Sequence, residues 1–189
     1  KCGSCKAVCT DYIGVCGTYD LKATGDVPIC INCGQCANVC PADSITEKVE
    51  AYEVAAAMRD PEKIVIFSTS PSVRIALGEE FAMAVYHTNF AADLTIMEEA
   101  SELVERITKG EKPLPQFTSC CPAWVKFAET YYPEMLPHIS SAKSPIGMQG
   151  PTIKTYFAKK MGLDPRKIVN VAVTPCTAKK YEIRRDEMN

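Results

Sequence analysis

No apolar run approaches the 18 residues or so that a spanning helix needs, so the sequence offers no membrane segment. It has no basic stripe either: 21 Lys and Arg stand against 23 Asp and Glu, a formal charge of -2, which argues against nucleic acid as a partner. Neither a charged-then-apolar leader nor a twin-arginine pattern is visible, and the expected compartment is the cytoplasm. Histidine is scarce. His87 and His138 have no metal-ligand spacing with each other, and neither is given a role. The single tryptophan, Trp124, and Met148 read as core packing. What the chain has in quantity is cysteine, eleven in 189 residues, and without a secretory signal that points to metal or redox chemistry rather than to a disulfide framework.

Eight of the eleven fall in the first 40 residues. The stretch "CINCGQCANVCP", residues 30–41, is C-x2-C-x2-C-x3-C-P, the bacterial ferredoxin run in which three close thiolates grip one 4Fe-4S cubane and the fourth reaches another. A zinc ribbon would instead require two paired C-x2-C knuckles and no trailing Cys-Pro. Upstream, "KCGSCKAVC" repeats the pattern with its first cysteine missing: Cys2, Cys5 and Cys9 are present. The absent ligand either precedes Lys1, in which case the sequence begins inside a motif, or is supplied by Cys16, at a spacing foreign to ferredoxins. Because fourth cysteines cross over, Cys9 is expected to join Cys30, Cys33 and Cys36, and Cys40 to join Cys2 and Cys5. Two clusters in one small α+β, ferredoxin-like module, residues 1–47, make an electron wire. Gly14, Gly17, Gly25 and Pro28 supply its turns.

From residue 48 the pattern changes. "EKVEAYEVAAAMRDPEK" is alanine-rich with a proline stop and predicts a linking helix. "KIVIFSTSPSVR" predicts a buried strand that delivers Ser70, Pro71 and Ser72 at its end. In "DLTIMEEASELVERITKG" Asp93 is the expected N-cap, Ile96, Leu103 and Ile107 form an apolar stripe, and Gly110 stops the helix. On the same helix Glu99, Glu102 and Arg106 form a row at i, i+3 and i+7, whose plainest reading is a solvated charged face. A further helix, "PTIKTYFAKKMG", and a further strand, "KIVNVAVTPC", predict a parallel α/β core with its site at the strand C-termini.

Three stretches, "TSPSVRIALGEEF", "LPQFTSCCPAWVKF" with "SSAKSPIGMQG", and "TPCTAKKYE", resemble the di-iron (iron-only) hydrogenases. The resemblance implies that residues 48–189 are the first part of an α/β catalytic domain built around the H-cluster, a 4Fe-4S cubane joined to a di-iron centre with carbon monoxide, cyanide and azadithiolate ligands. It implies that Cys121 and Cys176 hold the cubane, and that Cys120 is a proton donor beside the di-iron centre. Glu99, Glu102 and Ser140 would continue the proton path, with Arg106 near its entrance. Lys179 would hold one cyanide, and Ser70, Pro71, Ser72, Thr174 and Pro175 would wall the site. The partners implied are H2 and protons, a ferredoxin or other small redox protein, and maturation proteins, in an anaerobe. Ser70 and Thr174 stand where many members have alanine and methionine, as in the group B branch. The last family motif, with two further cubane cysteines, has no counterpart here, and about one helix of the family with its turn is missing near Ala84–Val85; the sequence is expected to be part of a longer protein. A non-catalytic iron-sulfur carrier and a redox or H2 sensor are the competing readings.

Overall fold

The computed structural model describes residues 2–15, 30–78, 86–87 and 89–188. Cys16, the expected turns at Gly17, Gly25 and Pro28, and the expected join near Ala84–Val85 lie outside these residues.

The described part of the cysteine-rich region folds into short helical turns, Ser4–Ala7, Val8–Tyr12 and Gln35–Asn38. The first and third are each entered through a left-handed glycine, Gly3 (φ 82°) and Gly34 (φ 77°), set directly after a cysteine. The two runs therefore share one local design, Cys-Gly-x-Cys with the chain reversing at the glycine, a conformation that costs glycine nothing.

Helix α1 (Ala51–Arg59) is shorter than its alanine-rich stretch suggests. It ends at Asp60, extended because Pro61 follows. It starts only at Ala51, and the carbonyl of Lys48 is engaged by the Lys180 ammonium instead of by a helical amide. Strand β1 (Ile64–Thr69), helix α2 (Pro71–Leu77), strand β2 (Tyr86–His87), helix α3 (Asn89–Lys109), helix α4 (Pro122–Tyr131), helix α5 (Pro145–Thr152), strand β3 (Ile168–Val173) and helix α6 (Ala178–Glu182) follow. Helix α5 runs on through a π-type stretch, Ile153–Phe157, into a last turn, Ala158–Met161. The sheet has the order β2-β1-β3 and is parallel throughout, with Ile64 opposite Ile168 and Thr69 opposite Val173. Ile66 and Ile168 pack with Ile153 and Ala158 into one core beneath it. The predicted strands and their parallel pairing are thus present, but β3 is an edge strand with only Ile168 buried, not the fully buried strand its composition suggests.

Helix α3 departs from its sequence reading twice. It begins at Asn89, so Asp93 is an exposed residue within the helix and not its N-cap. Ala91 is fully buried, and its packing carries the helix one turn further than capping chemistry suggests. The stripe of Ile96, Leu103 and Ile107 faces outward, at 63%, 38% and 63% exposure. Turned inward are Ala91, Thr95 and Arg106, with Glu99 and Glu102 half-buried between them. The charged row is therefore not a solvated face. The helix does end at Gly110, in the left-handed region.

A second core joins the cysteine-rich region to the rest. Val15 and Ile31 cluster with Ala123 of α4 and Ala178 of α6, and Cys9, Cys33, Phe127, Tyr131 and Cys176 pack around them. Trp124 meets Phe117 edge-on, with ring centroids 5.9 Å apart, as a packing residue would.

Candidate functional site

All ten described cysteines are free thiols. In the second run, Asn32 adopts φ 60° and donates its amide N–H to Cys30 Sγ at 3.4 Å. In the first, Ser4 Oγ donates to Cys2 Sγ at 3.5 Å, and the Ser4 hydroxyl and amide together lower the thiol's pKa. The backbone amides of Ala42 and Ile45 lower that of Cys40, while the neighbouring Cys2 pushes it the other way, so these two thiols are electrostatic neighbours. Cys9 and Cys33 share the second core. Amide and hydroxyl donors aimed at soft sulfurs suit the net negative charge of a thiolate-ligated iron-sulfur cluster. Among the described residues no three His, Cys, Asp or Glu side chains converge as one mononuclear ion would require. A cubane takes one thiolate on each of its irons, so its ligands stand apart.

The second group of residues gathers at the C-terminal edge of the sheet. The residue after β1 meets the end of β3 there: Ser70 N donates to Val173 O at 2.9 Å, and the Ser70 and Ser72 hydroxyls lie 2.9 Å apart. Pro71 and Pro175 are exposed, and Thr174 Oγ1 accepts the Cys176 amide at 3.4 Å. Cys121 is the extended N-cap of α4 (φ -96°, ψ 109°), with Pro122 at the first helical position. An extended backbone sends successive side chains to opposite sides, so Cys120 and Cys121 diverge. Lys179, with a side chain only 14% exposed, is not a surface lysine. It donates to the Cys120 carbonyl at 2.5 Å and to Glu182 Oε2 at 2.9 Å, tying the Cys-Cys loop to the turn that carries Cys176. An ammonium has three protons, so one remains for a ligand.

From this edge a polar row runs along the inward side of α3. Glu99 Oε1 accepts the amide of Ser119, the neighbour of Cys120, at 3.2 Å, and Gln116 Nε2 donates to the Glu99 carbonyl. Glu102 Oε2 accepts from Ser140 Oγ at 2.8 Å and from the Ser141 amide at 2.9 Å; its Oε1 accepts from Arg106 at 2.7 Å and Lys112 at 2.8 Å. Arg106, buried, also donates to the carbonyls of Pro113, Pro137 and Ile139, fastening two loops to the helix. Beside it lies a cavity of about 430 Å³ lined by Glu98, Glu102, Glu105, Glu111 and Lys112. The sequence reading included neither Lys112 nor Ser119. Lys112 lies ten residues from Glu102 around a loop, a separation with no helical period to betray it.

Burial would by itself push the Glu102 carboxyl up, but the hydrogen bonds from Lys112, Arg106, Ser140 and Ser141 outweigh it and hold the group well below its ordinary value of 4.5. A carboxyl depressed in the folded state adds stability above its unfolded pKa and loses that contribution as pH falls through the folded one. Chemical denaturation across a pH series should therefore find Glu102→Gln less stable than the wild type at neutral pH, with the gap narrowing below pH 4.5. A gap that stays constant into acid would show that the charge contributes nothing.

Residues 63–189 match the family described as iron only hydrogenase large subunit, C-terminal domain, and residues 26–46 match a 4Fe-4S binding domain. The NADP-reducing hydrogenase subunit HndD of Solidesulfovibrio fructosivorans is 45% identical over 186 residues, covering 85% of this chain and 32% of that one. The periplasmic Fe hydrogenase large subunit of Nitratidesulfovibrio vulgaris is 48% identical over 157 residues, 72% of this chain and 37% of that one. More distant is the cytosolic iron-sulfur assembly component 3 of Bos taurus, 31% identical over 195 residues, 88% of this chain and 41% of that one. The solved structure of apo FeFe-hydrogenase HydA1 from Chlamydomonas reinhardtii superposes with a TM-score of 0.65 at 37% identity, over 74% of this chain and 41% of that one. The chain thus spans roughly a third of the length of its hydrogenase relatives. A 4Fe-4S ferredoxin-type region followed by part of a catalytic domain, together with a family match over more than half its length, establishes that this chain belongs to the iron-only hydrogenase large-subunit family.

Proposed function

We propose that the protein carrying this chain is a hydrogenase that interconverts H2 with two protons and two electrons. The observation that carries this reading is the inward polar row of α3 leading to the Cys120 loop, because an electron carrier has no use for buried proton-exchanging groups. In this reading residues 1–47 hold two 4Fe-4S clusters, one on Cys2, Cys5 and Cys40, the other on Cys9, Cys30, Cys33 and Cys36. Residues 48–189 begin the catalytic domain, where Cys121 and Cys176 supply two ligands of the H-cluster cubane. The di-iron unit of that cluster, when bound, supplies the redox chemistry at which H2 is made or split.

The chain's own residues move the protons. Cys120 exchanges a proton between its thiol and the reacting centre, and Glu99, on the amide next to it, is the next carboxylate outward. Ser140 Oγ donates to Glu102, which borders the cavity and meets water there. Clamped by two cations, Glu102 rests as a carboxylate and accepts from the Ser140 hydroxyl, so its role is to orient that hydroxyl in the path. Arg106 and Lys179 position this path rather than react, one by fixing loops to α3, the other by fixing the Cys120 carbonyl. Ser70, Pro71, Ser72, Thr174 and Pro175 wall the strand-end side. Electrons leave one at a time through the cysteine-rich module to a ferredoxin or other small redox protein.

An infrared spectrum of the full-length protein matured with its partner enzymes tests the proposal. Sharp bands within about 1,800–2,100 wavenumbers, from carbonyl and cyanide ligands, together with H2-dependent dye reduction, are expected. A protein that binds iron yet is silent in that window would favour the second reading, an iron-sulfur carrier akin to the assembly component at 31% identity.

A further inference from the structure

We propose that Lys126 raises the reduction potential of the 4Fe-4S cluster on Cys9, Cys30, Cys33 and Cys36; the inference rests on the cluster-binding reading above. Lys126 belongs to α4, on the catalytic side of the junction, yet its Nζ donates to Asn32 Oδ1 at 2.6 Å, across 94 positions of sequence. Asn32 lies between Cys30 and Cys33 and is the residue whose amide N–H meets Cys30 Sγ at 3.4 Å. The ammonium is thus one side chain away from the sulfurs.

Two features of the described residues favour a fixed charge here. Nζ stands 4.5 Å from the centroid of the Tyr181 ring, an attraction that holds a cation without neutralising it. Glu129, one turn along α4, is taken by Arg185 in a two-pronged pair at 2.6 and 2.9 Å. Among the described residues no carboxylate lies within ion-pair distance of Lys126, which is itself half-buried.

Reduction of the cluster adds one electron and moves no atoms, so the reduced form carries one more negative charge than the oxidised form. A fixed, partly desolvated cation one residue away stabilises the more negative form and draws the electron onto this cluster. Because Cys33 and Cys176 pack around the same core, the cluster so tuned is the one beside the H-cluster ligand.

The test is a potentiometric titration of the full-length holoprotein, followed through the paramagnetic signal of the reduced cluster, with Lys126→Gln and Lys126→Arg. Glutamine keeps a donor for Asn32 but no charge; arginine keeps both. The expected result is a roughly tenfold loss in the equilibrium constant for reduction in Lys126→Gln, equivalent to about 59 mV for one electron. Lys126→Arg should stay within about twofold of the wild type. Equal potentials in all three proteins would overturn the assignment, and so would iron lost from Lys126→Gln but kept in Lys126→Arg, which would make the residue a strut. A wild type with no cluster signal would sink the cluster reading itself, and the inference with it.

Discussion

Replacing Cys120 with alanine is expected to cut H2 turnover by about a hundredfold to ten-thousandfold, the usual worth of a positioned proton donor, while iron content stays at the wild-type level. The separation of the two effects follows from the backbone. Cys121 is extended where it enters α4, so its side chain and that of Cys120 diverge, and in the proposed reading only Cys121 serves the cubane. The contact that fixes the loop, from the Lys179 ammonium, goes to the Cys120 carbonyl and survives any side-chain change. Cys120 is also exposed in this chain, so alanine opens no core cavity. Turnover with a dye acceptor and iron analysis of the same preparation check both halves. Iron lost in parallel with activity would make Cys120 a ligand and end the division of labour; unchanged turnover would remove it from the proton path.

Among the described glycines of the cysteine-rich region, Gly34 is the one whose substitution with alanine should be most disruptive. Its φ of 77° already penalises a side chain, by about 1 kcal/mol. The added Cβ would also lie 1.7 Å from Thr177 Oγ1 and 2.9 Å from Thr177 Cβ, and a β-branched side chain at its root cannot swing clear. Thr177 follows Cys176 and bonds the Cys33 carbonyl at 3.3 Å, so the methyl wedges two cysteine-bearing loops apart. The combined cost is expected to be about 3 kcal/mol or more of folding stability. Gly3 is the internal control. It has nearly the same backbone, φ 82°, but nothing within 4 Å of its would-be Cβ, so Gly3→Ala incurs the conformational term alone. Denaturation curves for the two variants that coincide would mean the close approach to Thr177 carries no weight.

Much of the architecture can be read from short-range pattern. The cysteine spacings of the second run occupy eleven consecutive residues, and the β-branched runs at 64–69 and 168–173 pair in parallel as their composition demands. Helix α3 is where local rules mislead. Asp93 has cap chemistry, but the helix already runs from Asn89, and Ala91 in its first turn is buried. Its apolar residues look like a core stripe and its charges like a wet face, yet the fold turns them the other way, because Glu102 and Arg106 meet partners supplied by residues 112–141. Lys112 and Lys126 were invisible for the same reason. Each acquires its meaning from a partner far along the chain, and no period in the sequence encodes that.

The shared cluster of Val15, Ile31, Ala123 and Ala178 has one more implication. With Val15 and Ile31 interlocked with Ala123 and Ala178, the described part of the cysteine-rich region and the domain that follows share a single nucleus. Unfolding of either portion should therefore loosen the other, so local damage would spread through the shared nucleus as a cooperative collapse instead of remaining a local scar.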